Sequence, residues 1–390
     1  MRTRFRPGHV LAARNKGIAR HAPCCPWAMT RDKILIVGGY GEVGSRIAAQ
    51  LEAERPGRVI VAGRHPEKAR GLPARPIDLG EPDSIEGALD GIDTVVACVR
   101  QREPHLLRAA VRRGLAYTSI APPRITWADT EPLRAEAERT GARIILGAGL
   151  EPGITSVLVR AAADRLGAVE TVESALLLSL GDTYGPDSMG FILDEVAESY
   201  TITVDGRPRA MHAFEDAKRV AFPSPIGRQR AYTMPFTDQF YYPTTTGART
   251  AIARIALDPP WLADTIAALL RVGLRRALRR GRGALHGGLD ALRRRYRDRD
   301  RYALVLEVRG NGRGLRWTLV GRQQAAATAA GAAAITAALA SREVADAGVW
   351  LAEQVVTPGP FLARLAAQGL VPVATELPGA MDAAANPPAP

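Results

Sequence analysis

Lys33-Ile34-Leu35-Ile36-Val37-Gly38-Gly39-Tyr40-Gly41-Glu42-Val43-Gly44-Ser45-Arg46-Ile47-Ala48 decides how the rest of the chain is read. Its first five residues are mostly apolar and β-branched, the pattern of a strand buried on both faces. Glycines follow at 39, 41 and 44, and a helical pattern with Val43, Ile47 and Leu51 on one face begins at once. Gly39 is expected to make the tight turn and Gly41 to let a pyrophosphate approach the backbone. Gly44 is expected to let the helix press onto the strand. Phosphate groups would then meet free N–H groups at a helix N-terminus, where the dipole favours negative charge.

Outward from this stretch, a second strand runs Val59-Ile60-Val61-Ala62 and ends in Gly63-Arg64-His65. Proteins that bind NAD carry an Asp or Glu near here to hold the ribose 2′-hydroxyl. This chain has none before Glu67. Arg64 instead stands where a guanidinium can form paired bonds to a 2′-phosphate, and His65, Lys68 and Arg70 add positive charge. NADP is the expected cofactor.

Strand and helix then take turns. Strands are expected at 75–79, 93–99, 116–120 and 143–146, with helices at 82–89, 104–113, 131–140 and 154–166. That spacing gives a Rossmann-type, doubly wound parallel sheet whose ligands bind at the carboxyl ends of its strands. Gly147-Ala148-Gly149-Leu150-Glu151-Pro152-Gly153 lies at one such end, its glycines suited equally to ligand contact and to close domain packing.

Beyond Gly167 the strands alternate apolar and polar, at 171–180, 200–204, 250–257, 302–309 and 315–320. Asp205-Gly206 and Asn311-Gly312 are hairpin turn signals. This is an α+β domain with a largely antiparallel sheet. The aromatic and polar segment 232–246 either lines a pocket or covers a sheet edge. An alanine-rich helix (324–339) and a helix over 360–368 follow. The expected division is a disordered basic arm (1–29), a Rossmann domain (30–152), a substrate domain (153–375) and a disordered tail (376–390), with the C-terminal helices packing back on the first domain. Met29, four residues before the first strand, is a candidate start of translation that mass spectrometry of the native N-terminus tests.

The net charge of +12 is concentrated. Residues 1–30 carry six basic side chains and no acid, and residues 271–301 carry twelve basic and three acidic. Everything else is slightly negative, whereas a nucleic-acid-binding core is itself basic. Residues 261–280 can form a basic amphipathic helix; a solvated helix packing on the core is favoured over one lying on an anionic membrane. Flotation with anionic vesicles separates the two. No uncharged apolar run reaches membrane-spanning length. The three cysteines, Cys24, Cys25 and Cys98, cannot make a disulfide framework, which suits a cytoplasmic protein. The six histidines are scattered, so no metal site is expected. No tyrosine has a lysine four residues later, and no Gly-x-Ser-x-Gly elbow occurs.

Ile34–Gly44, Ala62-Gly63-Arg64, Asp93–Val99, Arg112–Tyr117, Gly147–Gly153 and Gly348-Val349-Trp350-Leu351 together resemble the saccharopine dehydrogenase-like (saccharopine reductase-type) NADP-binding family. The likeness is good over 33–157 and looser over 170–375. It implies nicotinamide at a cleft between the two domains, and reduction of amino-acid imines or, in trans-acting enoyl reductase-like members, of lipid-like polyketides. By the same resemblance, Gly39, Tyr40, Gly41, Glu42, Val43 and Gly44 hold the pyrophosphate and Arg64 the 2′-phosphate. Asp78 contacts adenine, and Cys98 and Val99 flank the nicotinamide. Two positions depart from the family: Arg100-Gln101-Arg102-Glu103 replaces a Gly-Pro turn, and Thr118 replaces an Asp. Both lie near the expected reacting centre and point towards another substrate.

The expected function is an NADPH-dependent reductase of a C=N, C=C or C=O bond in a small metabolite, in specialised metabolism, with Glu151 and Tyr184 as proton-donor candidates. Arg228, Arg230, Arg249 and Arg254 are candidates for a substrate carboxylate. The chain is compatible with a homodimer. The rival is a non-catalytic dinucleotide-binding or membrane-associated interaction protein of the same fold.

Overall fold

Ile34, Leu35, Ile36 and Val37 are at most 2% exposed, because strands lie beside them and helices lie above and below. They form β1 (Ile34–Val37), the middle of a parallel sheet. The computed structural model describes residues 32–101, 103–120, 130–182, 199–273 and 292–378. After β1 come α1 (Glu42–Glu54), β2 (Val59–Gly63), β3 (Ala74–Pro76), α2 (Pro82–Ala88), β4 (Thr94–Ala97) and α3 (His105–Arg112). Then follow β5 (Ala116–Ser119), α4 (Thr130–Thr140), β6 (Arg143–Leu146) and α5 (Ile154–Leu166). α5 stops at Gly167, whose φ of +77° ends the helix in the left-handed region.

A second series comprises β7 (Thr171–Ser179), β8 (Ser199–Val204), β9 (Arg207–His212), β10 (Ala217–Phe222), β11 (Gly227–Thr233), α6 (Tyr242–Thr245), β12 (Thr250–Asp258) and α7 (Pro260–Arg271). The chain continues through β13 (Arg301–Gly310), β14 (Arg313–Arg322), α8 (Gln324–Ala340), β15 (Gly348–Leu351), α9 (Ala352–Val355), α10 (Pro358–Ala367) and β16 (Val373–Leu377).

The first sheet has the order β15-β6-β5-β4-β1-β2-β3 and is parallel throughout. The strand order reverses at β1, between β2 and β4, where sheets of this kind open a crevice. β15 comes from the far end of the chain and pairs with β6, Val349 opposite Ile144. The second sheet, β10-β11-β12-β7-β13-β14-β16, is antiparallel except for the β7–β12 pair. Its inner face (Val172, Leu176, Leu304, Leu306, Trp317) shares one core with α1, α5 and α8. Its outer face carries a smaller core around Ala175, Leu177, Val220, Phe222, Ala303 and Val305.

α8 is buried on every side from Ala327 to Leu339 and packs against α1, β4, β5 and α10. Alanine makes this geometry available, because small side chains let a helix lie close to neighbours all round. Gly331 is the tightest point: a Cβ there would stand 2.5 Å from the Gly149 carbonyl oxygen.

Several expectations needed correction. β8 does not join the second sheet but forms a separate hairpin with β9. Strands β9, β10 and β11 were not foreseen, since their exposed ends carry little apolar alternation. β16 runs through Leu377, past the point where the composition reads as tail, because edge pairing with β14 needs only backbone groups. α7 ends at Arg271, and residues 274–280 of the expected basic helix lie outside the described residues. Among the described residues no helix is long and apolar enough to cross a membrane.

Candidate active site

β1 ends in a turn whose positive φ falls at Gly38 (+81°), one residue before the expected Gly39. Gly39 is needed for another reason: a Cβ there would lie 2.6 Å from Val61 Cγ1. The turn is closed by Gly39 N–H donating to Ile36 O (3.1 Å) and Gly41 N–H to Gly38 O (3.0 Å). Gly41 caps α1 with extended backbone (φ −76°, ψ 175°) and no side-chain cap. A Cβ on Gly41 would meet only Gly38 O, at 3.3 Å, so its outer side is open; one on Gly44 would stand 2.2 Å from the same oxygen. Helix therefore presses on turn at Gly44, as expected. The N–H groups of Glu42, Val43 and Gly44 have no acceptor among the described residues. Glu42, the acid of the first turn, is drawn to Arg46 at 2.9 Å, which offsets its charge beside this donor set.

Around that cradle, Val99 Cγ1 would be 2.7 Å from a Cβ on Gly38 and so walls the turn. Burial pushes the Cys98 thiol up to about 12, so it is neutral. Asp78 is exposed and caps its own turn, accepting from Gly80 N–H at 2.9 Å. Arg64 is exposed, with no ion-pair partner among the described residues. Tyr40 curls back over the end of β2, where its hydroxyl accepts the His65 N–H at 2.8 Å. At the ends of β4 and β5, Gln101 Nε2 donates to Tyr117 OH at 2.8 Å. Gln101 Oε1, Thr118 Oγ1 and Ser119 Oγ are buried without partners. Open backbone at Gly41, unpaired amides at α1 and these orphaned polar atoms fit a dinucleotide lying across the carboxyl ends of the strands.

The same edge carries Glu151, in the loop between β6 and α5. Ser174 Oγ, on β7 of the second sheet, donates to Glu151 Oε1, while Oε2 is shielded from water and has no partner. Burial first, and the nearby Asp238 carboxyl second, raise the Glu151 pKa well above the ordinary carboxylate range. Both effects favour the protonated form of Glu151, and the Ser174 hydrogen bond opposes them. Tyr184, the other expected proton donor, lies outside the described residues.

Two acids went unforeseen. Asp238 is buried within the 232–246 segment, which is folded into the core rather than laid over an edge. Its Oδ2 accepts from Thr155 Oγ1 (2.8 Å) and Tyr242 OH (2.9 Å), and burial raises its pKa. Gln239 pins the segment, donating to Met234 O (2.7 Å) and accepting from Ala253 N–H (3.1 Å). Glu353, on α9, is 4% exposed; its Oε1 accepts from Thr245 Oγ1 at 2.7 Å and its Oε2 has no partner. Burial pushes its pKa up to about 7. An acid inside an aromatic run was a usable signal for Asp238; nothing local marks Glu353. Of the candidate arginines, Arg254 sits 3.7 Å from Glu173 and 3.6 Å from Asp216. Glu173 and Ser174 face opposite sides of the sheet, so Arg254 lies on the face away from Glu151. Among the described residues no group of three His, Cys, Asp or Glu side chains is arranged to hold a metal ion.

Apo saccharopine dehydrogenase (L-Glu forming) from Saccharomyces cerevisiae superposes with a TM-score of 0.61 at 16% identity, over 89% of this chain and 100% of that one. The chain has the saccharopine dehydrogenase fold. The family model for shikimate / quinate 5-dehydrogenase matches residues 25–129, the part of the saccharopine dehydrogenase fold that holds the glycine turn. Amine dehydrogenase from Mycobacterium smegmatis aligns with a TM-score of 0.45 at 13% identity, over 84% of this chain and 96% of that one. No curated protein matches the sequence.

Proposed function

We propose that the protein is an NADPH-dependent reductase acting on a polarised double bond (C=N, C=O or conjugated C=C) of a small metabolite held between the two sheets. This reading is supported by an open amide cradle after β1 and a buried carboxylic acid of raised pKa after β6, both at carboxyl ends of strands of the parallel sheet. Gly39, Tyr40, Gly41, Glu42, Val43 and Gly44 would hold the pyrophosphate, Arg64 the 2′-phosphate and Asp78 the adenine side. Cys98 and Val99 would border the nicotinamide, whose reduced ring supplies hydride when bound.

Glu151 keeps its proton because a charge there would be buried beside Asp238. Ser174 holds one oxygen and leaves Oε2 to deliver that proton to the nitrogen, oxygen or carbon opposite the one that accepts hydride. An acid with a raised pKa serves reduction in the neutral range, since it is protonated before the reaction and loses its proton only as product forms. The dehydrogenase name of the yeast protein that shares this fold supports the class of chemistry.

NADPH consumption followed at 340 nm against panels of imines, ketones and enoyl thioesters tests the proposal. Turnover that disappears in Glu151→Gln, while NADPH still binds, is the expected result. Calorimetry on folded protein showing that neither NADPH nor NADH binds would remove it.

A further inference from the structure

Position 63 ends β2, about twenty residues past the glycine turn, where NAD-binding sheets of this kind carry their ribose-binding acid. Here it is glycine, and the reason is steric. A Cβ on Gly63 would lie 2.0 Å from the Tyr40 hydroxyl and 2.5 Å from its Cζ. No side chain at 63 coexists with the phenol in this position. The phenol is also tethered: its oxygen accepts the His65 N–H at 2.8 Å. That bond uses the oxygen as acceptor and leaves the hydroxyl proton free to donate. The nearest acid in sequence, Glu67, is turned to His65 Nδ1 at 3.2 Å.

Resting on the proposed coenzyme, we infer that Tyr40 is a specificity-determining residue: its ring takes the space of the missing acidic side chain at 63, and its hydroxyl donates to the coenzyme 2′-phosphate. Tyr40 and Gly63 then act as one device on two segments. The glycine admits the phenol, and the phenol replaces an acceptor suited to a ribose diol with a donor suited to a phosphate. Arg64 supplies charge beside it, while Tyr40 supplies a fixed direction, because its hydroxyl is held by the His65 N–H.

The test uses the full chain and calorimetric Kd values for NADPH, NADH and 2′,5′-ADP, the last reporting on the adenosine end alone. Tyr40→Phe keeps the ring and removes the donor. It is expected to weaken NADPH and 2′,5′-ADP about tenfold and leave NADH unchanged. Gly63→Ala displaces the phenol and is expected to give the same loss. Arg64→Ala, which removes charge, lowers affinity for both phosphorylated ligands without touching the Tyr40 donor. If wild-type protein prefers NADPH but Tyr40→Phe retains the full preference, the inference about Tyr40 is overturned and the coenzyme reading stands. If wild-type protein binds neither NADPH nor 2′,5′-ADP, both fall.

Discussion

Gly41 and Gly44, three residues apart, should fail in opposite ways when each is changed to alanine. At 44 the new methyl would stand 2.2 Å from Gly38 O and 2.9 Å from Gly38 C, both backbone atoms that cannot step aside. Alanine in a helix interior gains about 1 kcal/mol over glycine. Overpacking of this depth costs about 3 kcal/mol and lifts α1 off the turn. The net is a loss of about 2 kcal/mol, or roughly 2–3 °C in Tm for a chain of this size. At 41 the methyl meets only Gly38 O at 3.3 Å, and the backbone (φ −76°, ψ 175°) is one that alanine adopts freely. Stability should change there by less than about 0.5 kcal/mol, because the small loss at a helix cap is offset by a stiffer unfolded chain. The methyl nevertheless stands on the open side of the turn, where a pyrophosphate would lie. Calorimetric Kd values should therefore rise tenfold or more in Gly41→Ala, with Tm unmoved in thermal melts. Unchanged coenzyme affinity in Gly41→Ala would falsify the cradle reading, whatever Gly44→Ala does.

Glu151→Gln should lower turnover by about a hundredfold or more, with coenzyme affinity kept. The wild-type rate should hold at low pH and decline as pH rises through the elevated Glu151 pKa, a limb that the variant lacks. Glu353 has a folded pKa of about 7 against an ordinary value of 4.5, so the folded state binds the extra proton. Its contribution to stability is full below about 4.5 and declines as pH rises to about 7, by roughly 3 kcal/mol in all. Glu353→Gln should then raise Tm at pH 8 relative to wild type and leave it unaltered at pH 4, as melts at the two pH values would read. Gly331→Ala, normally stabilising within a helix, should here cost about 2 kcal/mol because its methyl meets Gly149 O at 2.5 Å and Ile154 Cγ1 at 2.9 Å. A chemical denaturation midpoint at or above that of wild type would contradict this packing.

The parallel sheet was legible because each of its elements is announced locally. Apolar β-branched runs mark strands buried on both faces, and Gly114, Gly141 and Gly167 stand where helices stop. The glycine turn was legible in outline, though its left-handed residue is Gly38, since the motif fixes spacing more firmly than dihedral angles. What could not be read depends on groups far apart in the chain. Burial and the Asp238 carboxyl, brought in by another loop, raise the Glu151 pKa, while Ser174, on another sheet, fixes its Oε1 and pulls the other way. Tyr40 and Gly63 look unrelated until the turn folds one over the other. The strands β9 to β11 hid for a different reason: largely exposed, they carry too few apolar residues to alternate.

The return of β15 to the edge of the parallel sheet means that this sheet is not finished when its first six strands have left the ribosome. Until some two hundred further residues have emerged, the β6 edge lacks its neighbour and the alanine-rich helix has not yet covered β4 and β5. Nascent chains of this protein therefore expose a bare strand edge and an apolar sheet surface for most of synthesis. Cutting after the sixth strand would strip the first sheet of β15 and of the α8 cover over β4 and β5. A fragment that keeps this sheet and its cover whole would join α8 and β15 (residues 324–351) to residues 32–146, for example by placing them ahead of Ile34.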